Sequence, residues 1–527
     1  MRAQSLIAVD VVKFFGERRI LDGIHLTANP GQRLGLVGEN GAGKTTLLRL
    51  LAGADNPDAG DITRPADTGL LHQELPFTAG QTVGDVIADA LRESHDLLRR
   101  LDQLLHQPHR LTEYGAVLQR AEQINAWDAD RRADEIMHGL GLPAIGRQRT
   151  LGTLSGGQRS RVALAALLVS RPAALLLDEP TNHLDDQAVA FVETQLRQLP
   201  GVVIVASHDR VFLDEVCTDI IDLDPARGGI TRYGGAYSAY LDAKKAERLR
   251  WEQAFANQQD EMNALRHAIN TTARQVAHGR PPRDGNKMSY NAHGEKVQAS
   301  IASRVRNATQ RLETLQRHQI RKPPAQLHFQ APPLTTKDTG DGHLVSIRDL
   351  HIPGRIQLQR LDIEPGQRLL VTGPNGSGKS SLLHAIAGTL HSGNVLRRKG
   401  LRVGLLAQDD TWPDLTRTPR QLYGHHETPL ADLGLVAPKD LDRPIATLSV
   451  GQRRRLALAQ LIADPPHLLL LDEPTNHLSL TLADELENAL GTAPGAVIIA
   501  THDRWLRRRW QHPELTLNST PTQHATT

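Results

Sequence analysis

Gly38–Thr46 reads Gly-Glu-Asn-Gly-Ala-Gly-Lys-Thr-Thr, and Gly373–Ser381 reads Gly-Pro-Asn-Gly-Ser-Gly-Lys-Ser-Ser. Both fit the pattern GxxxxGK[ST], whose chemistry is phosphate binding. Its glycines let backbone N–H groups converge on an oxyanion, and a helix starting at the lysine adds the positive end of its dipole. Gly38, Glu39, Asn40, Gly41, Ala42 and Gly43 are therefore candidates to wrap one ATP triphosphate. Gly373, Pro374, Asn375, Gly376, Ser377 and Gly378 are candidates to wrap a second. Lys44 and Lys379 have the reach for the β- and γ-phosphates, and Thr45 and Ser380 carry the hydroxyl that ligates Mg²⁺. Thr46 and Ser381 complete the two loops.

Further residues recur in register. Leu175-Leu-Leu is followed by Asp178 and Glu179, and Leu469-Leu-Leu by Asp472 and Glu473. Short apolar runs of this kind read as buried parallel strands, and α/β sheets place ligands at the carboxyl ends of such strands. Asp178 and Asp472 are candidates for the Mg²⁺ shell, and Glu179 and Glu473 for orienting the attacking water. His208 and His502 each open a His-Asp-Arg at the same distance beyond the acidic pair, which makes them candidate γ-phosphate sensors. Gln73 and Gln408 each lie 29 residues past the loop lysine. Their candidacy as nucleotide and metal contacts rests on that registration.

The elements that must position these groups follow from the same comparison. Each GxxxxGK[ST] comes after an apolar run, Arg33-Leu-Gly-Leu-Val or Arg368-Leu-Leu-Val-Thr, and before a helical one, which is the strand–loop–helix setting the motif requires. Lys44 and Lys379 are 335 positions apart, as are Gln73 and Gln408, whereas Ser155 and Ser449 are 294 apart. The first copy therefore holds 41 more residues between Gln73 and Ser155, assigned to a helical insertion within 83–136. The expectation is two α/β domains, 1–236 and 340–510, with a different segment at 237–330 between them and a polar tail at 511–527.

That middle segment reads as two helices. Phe255, Met262, Leu265 and Ile269 on one, and Val297, Ile301, Val305, Ala308, Leu312 and Leu315 on the other, recur at intervals of three, four or seven. This is the narrow apolar seam of an antiparallel hairpin. His278-Gly-Arg-Pro-Pro-Arg-Asp-Gly breaks the pattern and forms the tip. From 262 to 322 the net charge is +9, against +2 for all 527 residues. A basic probe on a nearly neutral body suits nucleic acid, and A-form RNA is read mostly by shape and phosphate. Arg274, Arg280, Arg283, Lys287, Lys296, Arg304 and Arg306 are the candidate RNA contacts.

Composition narrows the class. The length exceeds what one core usually organises. A single cysteine, Cys217, leaves no disulfide framework and fits a reducing cytosol, and no apolar run is long enough to span a membrane.

Leu154-Ser-Gly-Gly-Gln158, Leu448-Ser-Val-Gly-Gln452 and the two Leu-Leu-Leu-Asp-Glu-Pro-Thr-Asn-His-Leu blocks, taken with the loops, glutamines and histidines, resemble the ATP-binding cassette superfamily. Two cassettes, a helical linker and no membrane domain resemble its ABC-F branch, in particular actinobacterial antibiotic-resistance members. The resemblance implies an Mg²⁺-dependent ATPase that converts ATP and water to ADP and phosphate. It would be a monomer whose two cassettes close on each other. It would bind the 70S ribosome beside the tRNA exit site, with the hairpin against tRNA and 23S rRNA near the peptidyl-transferase centre. It further implies head-to-tail sites. The first P-loop set would work with Ser449, Val450, Gly451 and Gln452, and the second with Ser155, Gly156, Gly157 and Gln158.

Three departures predict unequal sites. Val450 replaces a signature glycine, and Ser479 stands where the first copy has Asp185. Phe15 is placed to stack on adenine in the first copy, while Arg348–Arg360 offers no aromatic to the second. A housekeeping translation factor of the same family, the ATPase subunit of a drug exporter and a DNA-repair ATPase remain as alternatives at this stage.

Overall fold

The computed structural model describes residues 5–517 except 40, 72–77, 79, 183, 225–228, 277–286, 324–341, 354, 375, 391–393, 409–411, 413, 427, 477, 479 and 493–494. Only the backbone is described for 108, 144, 224, 272–276, 287–301, 481 and 491–492. The candidates Asn40, Gln73, Arg280, Arg283 and Asn375 and the hairpin tip thus lie outside the described residues, as does Ser479. The side chains of Arg274, Lys287 and Lys296 do too.

The chain divides into two compact units, residues 1–240 with 326–527, and residues 241–325. Both cassettes fall in the first unit. The first cassette is built on a six-stranded sheet in the order Thr68–Leu71, Ala174–Asp178, Val202–Ala206, Arg33–Gly38, Asp219–Asp224, Gly229–Gly234. All but the last pair are parallel. The second cassette repeats this in five parallel strands, Val403–Leu406, Leu468–Asp472, Ala496–Ala500, Arg368–Thr372 and Glu514–Thr516. Each cassette adds a three-stranded antiparallel sheet, centred on Leu6–Phe15 or Val345–Ile352.

The continuous apolar runs are buried on both faces because the side chains of a strand alternate. Leu175 and Leu177 join Val203, Val205, Val162, Leu168 and Phe212 in one core. Leu176, between them, joins Leu34, Leu36, Ile204, Leu47 and Leu48 in the other. Leu469 and Leu471, against Leu468 and Leu470, repeat the division in the second cassette. Burying each such leucine contributes about 1.5–3 kcal/mol, so the sheets are rigid floors for the loops at their carboxyl ends.

The stretch of the first cassette expected to hold its extra residues is helical, with Val83–Leu105, Leu111–Gln123 and Ala129–Gly139. Thr82 and Asp85 close a capping box at its start.

The second unit pairs the later part of helix Tyr237–Val276 with Lys287–Arg317. Met262 is buried and Phe255, Leu265, Ile269, Val305, Ala308, Leu312 and Leu315 are half-buried, which is the seam. Trp251 Nε1 donates to the Arg321 carbonyl (2.8 Å), Gln258 Nε2 to that of His318 (3.0 Å) and Arg311 Nε to Glu261 Oε1 (3.0 Å). The descending partner numbers make the pair antiparallel. Arg304 and Arg306 are exposed.

Candidate active sites

Each phosphate loop leaves a central strand and becomes a helix, Lys44–Ala52 or Lys379–Ala387. Gly43 and Gly378 cap these helices in the left-handed region, at φ 101° and 92°. A Cβ on Gly43 would lie 2.8 Å from Leu21 Cδ2, and one on Gly378 2.8 Å from the Arg355 carbonyl oxygen. Both positions thus exclude a side chain by conformation and by space. Lys44 Nζ donates to the carbonyls of Gly38 (2.8 Å) and Glu39 (3.3 Å), curled over its own loop. Lys379 does the same with Gly373 (3.0 Å) and Pro374 (3.2 Å). Burial lowers the pKa of both lysines, opposed by the facing carboxylates. Thr45 is exposed and Thr46 half-buried, while Ser381 is buried and accepts from Arg355 Nη1 (3.3 Å).

The acidic pairs sit at the ends of their strands. Glu179 and Glu473 hold positive φ, 50° and 46°, which is rare for a non-glycine residue and turns the chain sharply beside the phosphate loop. His208 N–H donates to Glu179 Oε2 (3.2 Å), and its ring Nε2 lies 3.6 Å from Oε1. In the second site His502 N–H donates to Glu473 Oε2 (3.2 Å), and the Thr501 hydroxyl adds a donor to the same oxygen (3.1 Å). Lys379 Nζ donates to His502 Nε2 (2.6 Å), which requires a neutral ring protonated on Nδ1. Burial and the Lys379 charge both lower the pKa of His502, in keeping with that form.

Burial pushes the carboxyls of Glu179 and Glu473 up to about 7, against the opposing pull of the backbone N–H of His208 or His502. A base must be ionised to accept a proton, and its pKa in the free protein shows in kcat/KM. We therefore expect kcat/KM for ATP to rise with pH along a limb centred near 7. Steady-state hydrolysis from pH 5.5 to 9 checks this, and a profile flat across that range counts against Glu179 and Glu473 as bases.

The residues fit a nucleotide with its metal. Asp178 Oδ2, Asp472 Oδ2, Glu473 Oε1 and Ser377 Oγ are buried without a hydrogen-bond partner among the described residues. Buried acceptors in that state lack the partner a cation would be. The Ser380 hydroxyl already meets Asp472, so the two proposed metal-binding groups of the second site are adjacent.

A cavity of about 1590 Å³ joins Lys379, Ser380, Gln408, Asp472, Glu473 and His502 to Glu179, Leu184–Gln187 and His208–Arg210 of the first cassette. Asp185 borders it while capping its own helix, accepting from Ala188 N–H at 2.8 Å. Ser155, Gly156, Gly157 and Gln158 do not line this cavity. Beside the first P-loop, Arg455 Nη1 lies 3.8 Å from Glu39 Oε1, so the helix after Ser449, Val450, Gly451 and Gln452 faces that loop.

Both signature serines cap their own helices. Gln158 N–H donates to Ser155 Oγ and Ser155 N–H to Gln158 Oε1, and Ser449 and Gln452 repeat the exchange. Ser-x-x-Gln is thus a capping box, a pattern visible in the sequence but not used in reading it. Gln452 also donates to buried Asp440 (2.8 Å). Val450 is 55% exposed and Phe15, at its strand end, 59%.

The sequence reading also passed over the arginine of each His-Asp-Arg. Arg210 is 1% exposed in its side chain and reaches into the second cassette, with Nη1 to Asp484 Oδ1 (2.7 Å), Nη2 to Asp503 Oδ2 (2.5 Å) and a further bond to Glu487. Arg504 reaches back to Glu193 (2.6 Å) and Asp209 (3.1 Å). Glu193 and Glu487, like Asp209 and Asp503, are 294 positions apart, so the two arginines make related contacts across a pseudo-twofold. The repeat of the arginine within an otherwise chemical motif was the signal.

A family model described as ABC transporter matches residues 21–182 and 357–476, the parts that carry both loops and both acidic pairs. The chain belongs to the ATP-binding cassette family. Within it the chain is 39% identical, over 96% of both chains, to the tylosin resistance ATP-binding protein TlrC of Streptomyces fradiae. It is 33% identical to the energy-dependent translational throttle protein EttA of Mycobacterium tuberculosis, covering 95% of this chain and 88% of that one. These relatives place it in the ABC-F branch, as an ATPase. The crystal structure of the archaeal ribosome recycling factor aABCE1 with the stalk protein aP1 shares the fold at a TM-score of 0.54 and 17% identity, over 94% of this chain and 85% of that one. Among the described residues no helix is long and apolar enough to cross a membrane.

Proposed function

We propose that this ABC-F ATPase works in the cytoplasm on the 70S ribosome beside the tRNA exit site. ATP-driven closure of its cassettes would move the basic hairpin against tRNA and 23S rRNA, protecting the peptidyl-transferase region or exit tunnel from an antibiotic. The observation that carries this is the end-to-end likeness to a tylosin resistance protein. The exposed Arg304 and Arg306, within the stretch 262–322 of net charge +9, supply the affinity for phosphate.

In this reading Lys44 and Lys379 leave their loop carbonyls for the β- and γ-phosphates. Thr45 with Asp178, and Ser380 with Asp472, hold Mg²⁺, joined by Gln73 and Gln408. When bound, the metal neutralises charge developing on the transferred phosphoryl group. Glu179 and Glu473 orient water and take its proton on a carboxylate oxygen, and His208 and His502 hold those carboxylates in place through their backbone N–H groups. Opening the capping boxes would turn Ser155 and Ser449 toward the opposite cassette's nucleotide.

The test is sucrose-gradient co-sedimentation of the full-length Glu179→Gln/Glu473→Gln variant with 70S ribosomes and ATP. Co-migration that depends on ATP is expected, and its absence at moderate salt removes the reading. Expression in a susceptible host should raise the inhibitory concentration of tylosin, and the Lys44→Ala/Lys379→Ala variant should not. Ribosome binding without resistance would instead favour a housekeeping role.

A further inference from the structure

We infer that Arg454 is a positioning residue of the second ATP site, tying the loop that bears Gln408 to the strand end that bears Asp472 and Glu473. Arg454 lies in the helix Val450–Ala463, directly after the signature, and is 1% exposed. Its Nη1 donates to the carbonyls of Ala407 and Gln408, the latter at 3.2 Å. Its Nη2 donates to the carbonyls of Asp472 (2.6 Å) and Glu473 (2.8 Å). One planar fork thus clamps two backbone segments that the sheet alone leaves independent past its last rung, since Leu406 pairs with Leu471 and the ladder stops there.

What is clamped matters to the chemistry. Glu473 has a left-handed backbone (φ 46°), a conformation that persists in a non-glycine residue only where its surroundings hold it. The Arg454 bond to its carbonyl is such a hold, and it fixes the direction in which the carboxylate leaves the chain. The Gln408 carbonyl is held by the same group, so the loop glutamine and the acidic pair keep one relative placement. Lysine cannot reproduce this, because a single ammonium does not present two parallel pairs of donors.

The first cassette carries no arginine at the related position. The residue 294 positions earlier is Ser160, although Glu179 has the same left-handed backbone (φ 50°). A guanidinium at this position thus belongs to the second cassette alone, a difference independent of Val450 and Phe15. In the sequence it sits inside the run Arg453-Arg454-Arg455, where nothing local distinguishes the three arginines.

The test is a double-mutant cycle on the full-length chain, following kcat and KM for ATP in Arg454→Met, Gln408→Ala and the pair. Each single variant is expected to lower kcat about fivefold with little change in KM, and the pair also about fivefold rather than the ~25-fold product of independent effects. Arg454→Lys should share the loss. If Arg454→Met shows no cooperative melting transition, Arg454→Lys takes its place in the cycle. Multiplicative losses, an unchanged kcat, or full recovery in Arg454→Lys would each overturn the assignment.

Discussion

Glu179→Gln/Glu473→Gln is expected to lower kcat for ATP hydrolysis by about 10²–10⁴-fold while ATP binding persists. The size follows from the placement of the two carboxylates. Each ends a fully buried strand, turns sharply at positive φ, and is pushed up to about 7 by burial. A carboxylate so poised accepts a proton near neutral pH with little driving-force penalty. Glutamine keeps the shape and the acceptor for the histidine backbone N–H, but it cannot take a proton. The phosphate loops, with Lys44 and Lys379 over them, are untouched, so affinity is retained. Hydrolysis and binding of a fluorescent ATP analogue, followed separately, check both halves. A parallel collapse of binding would mean that the substitutions damage the fold rather than the chemistry. The single variants then rank the sites, and equal residual rates would count against the asymmetry that Val450, Phe15 and Arg454 all suggest.

What could be read from the sequence was chemistry confined to short, repeated strings. GxxxxGK[ST], the acidic pairs and the apolar runs before them fix a strand, a loop and a helix within a dozen residues, so the α/β class followed from local pattern. The hairpin followed from the spacing of Met262, Leu265, Val305 and Leu312. Contacts between distant segments were not legible. The Arg210 cluster brings together residues separated by more than 270 positions, and nothing in its local string marks it as buried. Arg454 reads like its half-buried neighbours Arg453 and Arg455, because full burial of a guanidinium depends on four carbonyls supplied at and beyond the ends of two distant strands. The Ser155 and Ser449 hydroxyls were read for what they would do across an interface, whereas their nearest partners are the N–H groups three residues on.

Arg210→Met is expected to destabilise the union of the two cassettes by about 3–5 kcal/mol, the cost of stranding a buried carboxylate cluster. Arg210 is nearly sealed from solvent and serves three acids of the other cassette, Asp484, Glu487 and Asp503. Tyr237, which begins the long helix of residues 237–276, donates to Asp484 Oδ2 at 2.8 Å. Trp505 meets both, with Arg210 5.9 Å above its ring and Tyr237 edge-on at 5.5 Å. Asp484 and Trp505 have no counterparts, the first cassette carrying Ala190 and Val211 at the related positions. The Arg210 cluster therefore holds more charge than the Arg504 one, and Arg504→Met should cost less. The sign of the pH dependence separates this account from simple loss of packing. Burial holds the Glu487 carboxyl at about 7 even with Arg210 present, above its unfolded value. Between those two values the folded state binds the extra proton, so stability falls as pH rises through about 7. Without Arg210 the carboxyl is pushed higher still, and the deficit of Arg210→Met should shrink as the pH is lowered from 8 to 6. Asp484→Asn in the same chain should recover part of the loss, since it removes a stranded charge while keeping an acceptor for Tyr237. Urea unfolding of the full chain at both pH values measures this. A deficit independent of pH and untouched by Asp484→Asn would show that Arg210 acts through its packing against Trp505, and not as the counter-charge that locks one cassette to the other.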